Sequence, residues 1–254
     1  MGRSVYTSIA VDVVNLTKIY PGGVKGVDDL TFRVSSGEIY GLLGPNGSGK
    51  TTTLRIIATL LKPTKGSVKV FGYDSILNAV EVRKLLSYLP EEAGAYRDLT
   101  GLDFIKFMLG MRLKDRELEE AVEEAISIAD LGSDIKRPIR GYSKGMKRLL
   151  ALSTVLASGS KLVILDEPTA GLDVERSIRI RSLVDEFSRK RGVTVILSSH
   201  NMLEVEHLCD RVGILYRGRL AAEGSPSDLK ARYSARNLEE VFVKTVGGLS
   251  IVSR

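Results

Sequence analysis

Nine consecutive residues, Gly44-Pro45-Asn46-Gly47-Ser48-Gly49-Lys50-Thr51-Thr52, leave this chain few folds to choose from. They fit the spacing GxxxxGK(S/T) and follow an apolar stretch, Ile39 to Leu43, that reads as a short buried strand. After Lys50 the apolar residues Leu54, Ile57, Ala58 and Leu61 recur at helical spacing, with Pro63 and Gly66 ending the run. A strand turning through glycines into a helix is the context a phosphate-binding (Walker A) loop requires. Glycines let successive backbone N–H groups turn inward around phosphate oxygens, and the helix N-terminus near Gly49 adds positive partial charge. On this reading Lys50 reaches the β- and γ-phosphates and the Thr51 hydroxyl sits on Mg2+. The alternative, a plain glycine-rich turn before a helix, does not explain Lys50 and Thr51 together.

A second element supports the first. Leu162-Val163-Ile164-Leu165 is an apolar strand that ends in two adjacent acids, Asp166 and Glu167. At the carboxyl end of a parallel strand these acids stand beside a phosphate loop. Asp166 then holds the Mg2+ shell, and Glu167 orients or polarises the attacking water as general base. Two acids after a strand can equally cap the next helix, so the reading rests on their conjunction with the loop.

The remaining pattern places these motifs in an α/β fold. Alternation over Ile9 to Leu16 and Leu30 to Val34 predicts half-buried strands, and Val68 to Phe71 is strand-like. Thr100 to Ala129 is predicted helical, with Thr100 as cap and Glu117 to Glu124 on a solvent face, so the middle of the chain reads as an inserted helical subdomain. Strand signals return at Leu162 to Leu165, Val193 to Ser198 and Val212 to Tyr216, with a helix from Val174 to Arg189 between them. Such alternation argues a largely parallel sheet with flanking helices.

Composition removes whole classes. Of 254 residues, 43% are hydrophobic and 27% charged, too apolar for a disordered chain. The net charge of +6 permits nucleic acid, anionic lipid or a phosphate ligand as partner, or simply a solvated basic face. Cys209 is the single cysteine, which excludes an intramolecular disulfide and fits a reducing compartment such as the cytoplasm. Lys106 and Lys161 interrupt the apolar stretches, so no run reaches the roughly 18 residues of a membrane span. Met1 to Asp12 lacks the apolar block of a secretory signal, and no export is expected.

At this point the residues resemble the ABC ATPases, over nearly the whole chain. Tyr142-Ser143-Lys144-Gly145-Met146, followed by an apolar helix from Arg148 to Ala157, is similar to that family's signature segment. The resemblance implies that Ser143 and the Gly145 backbone contact the γ-phosphate of ATP held by an opposite subunit. Taken alone, Ser143 is a good helix cap. Ala170-Gly171-Leu172-Asp173 resembles the D-loop across the dimer interface, although Asp173 also reads as the cap of the following helix. His200 looks like the switch histidine that contacts the γ-phosphate. Tyr20 falls where the family sets an aromatic ring against adenine, and a core tyrosine is the alternative. His207 matches no motif. The implied fold is a P-loop NTPase (RecA-like) core with a mostly parallel sheet, an antiparallel β subdomain and an inserted helical subdomain. We divide the chain into residues 1–92 and 159–224 for the core, 93–158 for the helical subdomain, and 225–254 for a tail.

Two motifs depart from the commoner family pattern. Lys144 and Met146 stand where a second glycine and a glutamine are usual, and Glu91, in Tyr88-Leu89-Pro90-Glu91, stands where the family's glutamine loop has its glutamine. A carboxylate at Glu91 can still coordinate Mg2+ but adds negative charge beside the phosphates. These departures, with the tail Asn237 to Phe242, resemble the ATPases of ABC-2-type exporters of drugs, lipids, polysaccharides or sodium. The resemblance implies an ATP- and Mg2+-dependent ATPase at the cytoplasmic membrane face, a separate integral-membrane permease, and a second ATPase subunit in a homodimer or heterodimer. It also implies that residues 91–113 receive a permease helix, with Phe104, Phe107 and Met108 either lining that groove or packing in the core. Nucleic acid is not expected as a partner. The alternatives are an importer subunit or a soluble ABC ATPase acting in cofactor assembly or on nucleic acid or the ribosome.

Overall fold

The computed structural model describes residues 8–92 and 96–252, with side chains described to residue 247. The first seven residues of the segment read for an export signal lie outside the described residues. So do residues 93–95, at the start of the predicted helical subdomain and inside the predicted permease groove.

The chain opens with a long antiparallel pair, β1 (Ile9–Ile19) and β2 (Lys25–Ser35). Both outrun their sequence patterns because the period-2 alternation slips at a bulge. The register shifts between Val13 and Leu16, where Asn15 takes a left-handed φ of 49° and donates through Nδ2 to Asp29 Oδ1 at 2.9 Å. Next come β3 (Ile39–Leu43), α1 (Lys50–Ile57), β4 (Lys65–Val70), β5 (Tyr73–Asp74), α2 (Ala79–Leu85) and β6 (Leu86–Leu89). The helix of the phosphate loop stops at Ile57, short of the expected end near Leu61, because Thr59 turns left-handed with φ 63°.

The stretch from Thr100 to Ala129 is two helices rather than one, α3 (Gly101–Gly110) and α4 (Asp115–Ala129). The amides of Arg112 and Leu113 both close on Leu109 O, and the chain reverses through a left-handed Asp115 (φ 49°). Reversal lets Phe104, Ile105 and Leu109 of α3 and Val122, Ala125 and Ile128 of α4 join one apolar cluster, which a single straight helix would have spread over some 45 Å. Thr100 caps α3 as expected, accepting from Asp103 N. Glu117, Glu119, Glu120 and Glu123 are exposed, also as expected. Then follow α5 (Lys144–Leu156), β7 (Leu162–Asp166), α6 (Val174–Arg191), β8 (Thr194–Ser199), α7 (Met202–Leu208), β9 (Arg211–Tyr216), β10 (Arg219–Gly224), α8 (Pro226–Arg232) and α9 (Leu238–Val252).

Two sheets result. One is antiparallel, in the order β2-β1-β4-β5; the other has the order β10-β9-β3-β8-β7-β6, parallel except for the edge strand β10. Alternation along β3 decides which core each side chain joins. Tyr40 and Leu42 face the antiparallel sheet and α1, whereas Ile39 and Leu43 face the helices on the opposite side. Each such fully buried side chain contributes about 1.5–3 kcal/mol of burial. The central sheet is thus clamped from both faces, and the carboxyl ends of β3, β7 and β8 lie side by side in register.

Candidate functional site

At those three strand ends the sequence-predicted residues meet. The loop after β3 bends through Gly44 (φ 151°) and Gly49 (φ 107°), where no other residue fits. A Cβ on Gly49 would stand 2.5 Å from Gly26 O, and one on Gly44 would stand 2.3 Å from Leu215 O. The loop is pinned from outside as well, since Gly218 N donates to Ser48 O at 3.0 Å. Gly49, the cap residue of α1, provides no side-chain cap, whereas α3, α5, α6, α7 and α8 all have one. The positive end of α1 is therefore left for another acceptor.

Lys50 bends back over this cradle. Its ammonium donates to Gly44 O (2.7 Å) and Pro45 O (3.3 Å) and lies 3.3 Å from Glu167 Oε1. That last contact is an ion pair without aligned hydrogen-bond geometry. Glu167 Oε1 and Ser48 Oγ are accordingly buried polar atoms without a hydrogen bond among the described residues. Such orphans are rare in a folded interior and mark places where a further polar group belongs.

Asp166, fully buried at the end of β7, is held by three hydroxyls. Ser198 donates to Oδ1 at 2.6 Å, Thr51 to Oδ1 at 3.1 Å and Tyr88 to Oδ2 at 3.1 Å. Burial first, and then the charge of Asp166, push the Tyr88 phenol up to about 12, so it stays a donor. Glu167 adopts a left-handed φ of 47°, unusual for a glutamate and typical of strained functional positions. Its amide donates to Ser198 Oγ at 2.9 Å, and its Oε2 lies 2.9 Å from Nδ1 of His200, a side chain 56% exposed beyond β8. Lys50, Thr51, Asp166, Glu167 and His200 thus form one connected cluster.

The other predicted residues lie elsewhere. Tyr20 is half-buried and belongs to neither apolar cluster, which removes the core alternative; its hydroxyl is 3.0 Å from Thr52 Oγ1 beside the loop. Ser143 is exposed and caps α5, accepting from Met146 N at 3.2 Å. Gly145 is covered by Arg176, whose Cδ would lie 2.2 Å from any Cβ there. Asp173 caps α6 through Arg176 N at 2.9 Å, and that amide bond, with the Arg176 charge, holds its carboxyl below the usual range. Among the described contacts, none joins Ser143, Gly145 or Asp173 to residues 44–52. Glu91 is exposed, and its carboxylate makes no described contact with Thr51 or Asp166. It lines a cleft of about 220 Å³ with Glu92, Lys144, Lys147 and Arg148. Of the three apolar candidates on α3, Phe104 is core, Met108 is partly buried against the core, and Phe107 is exposed, edge-on to Tyr96.

The profile of ABC transporters matches residues 27–170, more than half of the chain. The chain belongs to the ABC transporter family. Within that family it is an ATP-binding subunit and an ATPase. It is 36% identical to the bacitracin transport ATP-binding protein BcrA of Bacillus licheniformis, over 89% of this chain and 72% of BcrA. It is 37% identical to the daunorubicin/doxorubicin resistance ATP-binding protein DrrA of Streptomyces peucetius, over 86% of this chain and 67% of DrrA. By contrast, it spans only 25% of ABC transporter A family member 3 of Arabidopsis thaliana. An ATP-binding cassette solved as a dimer in a post-hydrolysis state with ADP and Pi has the same fold, with a TM-score of 0.77 at 24% identity over 85% of this chain and 98% of the other. No helix among the described residues of this ABC ATPase is long and apolar enough to cross a membrane.

Three residues of the cluster escaped the sequence reading. Ser198 and Tyr88 hold Asp166, and both are the last residue but one of their strands, where a polar residue is a weak signal. Arg148 is the third. It is 8% exposed in α5, and burial draws its pKa down to about 10, still leaving it a cation at neutral pH.

Proposed function

We propose that this ATPase subunit binds Mg-ATP at the Lys50–Glu167 cluster and powers export through a separate membrane permease, closing with a second subunit around the nucleotide. One observation carries the reading: the loop cation, the hydroxyl, the two strand-end acids and the histidine converge in one connected site at three adjacent strand ends. The uncapped start of α1 and the loop from Gly44 to Thr52 suit a triphosphate, with Lys50 leaving Glu167 for the β- and γ-phosphates. Tyr20, beside Thr52 at the rim, suits a stacked adenine.

Thr51 and Asp166 would hold Mg2+. Among the described residues no group of three or more His, Cys, Asp or Glu side chains could hold a metal, which fits an ion bound by one carboxylate, one hydroxyl, waters and phosphate oxygens. When bound, it would offset phosphate charge. Glu167 accepts a proton from the attacking water, and His200, bonded to its other oxygen, steadies that carboxylate and reaches toward the γ-phosphate. Glu91 enters as a nucleotide or metal contact on resemblance alone.

Ser143 and Gly145 make no contact with the loop of their own chain, which supports their serving the ATP of a second subunit, with Asp173 at the interface. Dimer assembly in the solved cassette with ADP and Pi supports the same arrangement. The likeness to BcrA and DrrA, relatives named for an antibiotic and for drug resistance, supports export and residence at the cytoplasmic membrane face. We read residues 1–92 with 159–224 as the nucleotide core, 93–158 as the helical subdomain facing the permease, and 225–254 as a tail. The test is the mass of Glu167→Gln in solution. It should dimerise with Mg-ATP and not with ADP; a variant that stays monomeric at saturating ATP overturns the sandwich.

A further inference from the structure

We infer that Arg148 is a positioning residue for hydrolysis: one guanidinium that locks the backbone of Glu167, and the loop of Glu91, to the helix that begins at Ser143. This rests on the reading of Glu167 as the base and adds a residue that reading does not use.

All five donors of the guanidinium are engaged, and every acceptor is a backbone carbonyl. Nε donates to Pro168 O (2.9 Å), Nη2 to Asp166 O (2.7 Å) and Glu167 O (2.9 Å), and Nη1 to Pro90 O (2.5 Å) and Glu91 O (3.1 Å). Among the described residues no carboxylate lies within ion-pair distance of it. Five oriented peptide dipoles take the place of a counter-ion, which keeps the two acids free to face the loop on the other side.

Three consecutive carbonyls from Asp166 to Pro168 fix the peptide planes on both sides of Glu167. That is where the chain takes its left-handed turn, and a strained residue persists only where its surroundings over-determine it. The same fork holds Pro90 and Glu91, which follow β6 and lead into the segment before α3. Arg148 itself lies five residues beyond Ser143, a little over one turn into α5. A shift of the α5 N-terminus therefore reaches the base and the Glu91 loop together. Lysine, a point charge with three donors, cannot span two separate groups of carbonyls.

The test uses the full chain as Arg148→Lys and Arg148→Met beside the parent and Glu167→Gln, with melting temperature, affinity for a fluorescent ATP analogue and kcat for phosphate release. The expected result is folded protein, affinity within about threefold of the parent and kcat reduced by about tenfold or more in both, with lysine giving no rescue. A kcat within about twofold of the parent, or rate and affinity falling in equal proportion, overturns the inference. Should the variants not fold, hydrogen exchange of the unsubstituted chain decides. Mg-ATP should alter peptides over 86–92, 143–150 and 166–170 together, and a change in 86–92 without one in 166–170 overturns it. Glu167→Gln turning over at the parental rate would instead sink the assignment of the base, whatever Arg148 does.

Discussion

Lys50 Nζ lies 3.3 Å from Glu167 Oε1 with the two side chains 5% and 7% exposed, so the loop cation and the strand-end acid neutralise each other inside the protein. Each is the other's only opposite charge at ion-pair distance among the described residues, apart from His200 when that ring is protonated. A phosphate arriving at the loop competes with Glu167 for the ammonium, and the acid it displaces is the one assigned to activate water. On the proposed reading, nucleotide binding and water activation would be coupled through this one ion pair.

Removing only the acid should separate the two roles. Glu167→Gln keeps the shape and releases Lys50, so the affinity for ATP should equal or exceed that of the parent while turnover drops by about 10²–10⁴-fold. Titration with a fluorescent analogue and single-turnover phosphate release check this. A variant that hydrolyses within about threefold of the parent removes Glu167 from the role of base.

Removing only the cation should cost stability as well as ligand. Lys50→Ala leaves a nearly buried carboxylate without its partner, and breaking such a pair from one side costs about 3–5 kcal/mol. ATP affinity should fall by orders of magnitude. Adding Glu167→Gln to Lys50→Ala should recover much of the stability in urea unfolding and none of the affinity. If the double variant is no more stable than Lys50→Ala, the pair carries no such coupling.

Alkaline pH offers a check on the core. Cys209 is 7% exposed against Gly41 of β3, and burial pushes its thiol well up from its ordinary value. The folded thiol thus stays protonated where the unfolded one, near 8.5, has ionised, so the unfolded chain binds fewer protons and stability falls as pH rises. The loss should begin at about pH 8.5 and approach about 1.4 kcal/mol per pH unit. It should steepen above about pH 10, where the raised phenols of Tyr40 and Tyr88 add the same sign. Cys209→Ala should remove the first limb in urea titrations between pH 7 and 10. Native protein alkylated by iodoacetamide at pH 8 as fast as unfolded protein would contradict the burial.

How much of this was legible beforehand follows from which interactions are local. Lys50, Thr51, Asp166 and Glu167 were readable because each sits within a residue or two of an apolar strand or a glycine loop whose period announces it. The parallel sheet was readable for the same reason. The bend between α3 and α4 was not, since no proline marks Met111 to Lys114 and the reversal comes from joining Leu109 to the apolar cluster that residues of α4 and α5 share. Arg148 was missed because its acceptors lie 18 to 58 residues away in sequence and are carbonyls, which carry no side-chain identity. Glu91 shows the converse: its motif position was plain, yet it is exposed, lines the cleft with Lys144 and Lys147, and makes no described contact with Asp166.

The division of labour between Lys50 and Ser143 yields the sharpest expectation for a two-subunit site. If each ATP is held by the loop of one chain and the α5 N-terminus of another, Lys50→Ala spoils a chain's own loop but leaves its Ser143 serviceable. Ser143→Arg does the reverse, filling the exposed cap with bulk while leaving the loop intact. Each variant alone should be inactive. Mixed in equal amounts, about half of the dimers pair unlike chains, and each of these carries one whole site, so about a quarter of the parental sites return. Phosphate release measured across mixing ratios should peak at equal amounts. A mixture as inactive as its components, with heterodimers demonstrated by a tag on one chain, would place the complete site within a single subunit.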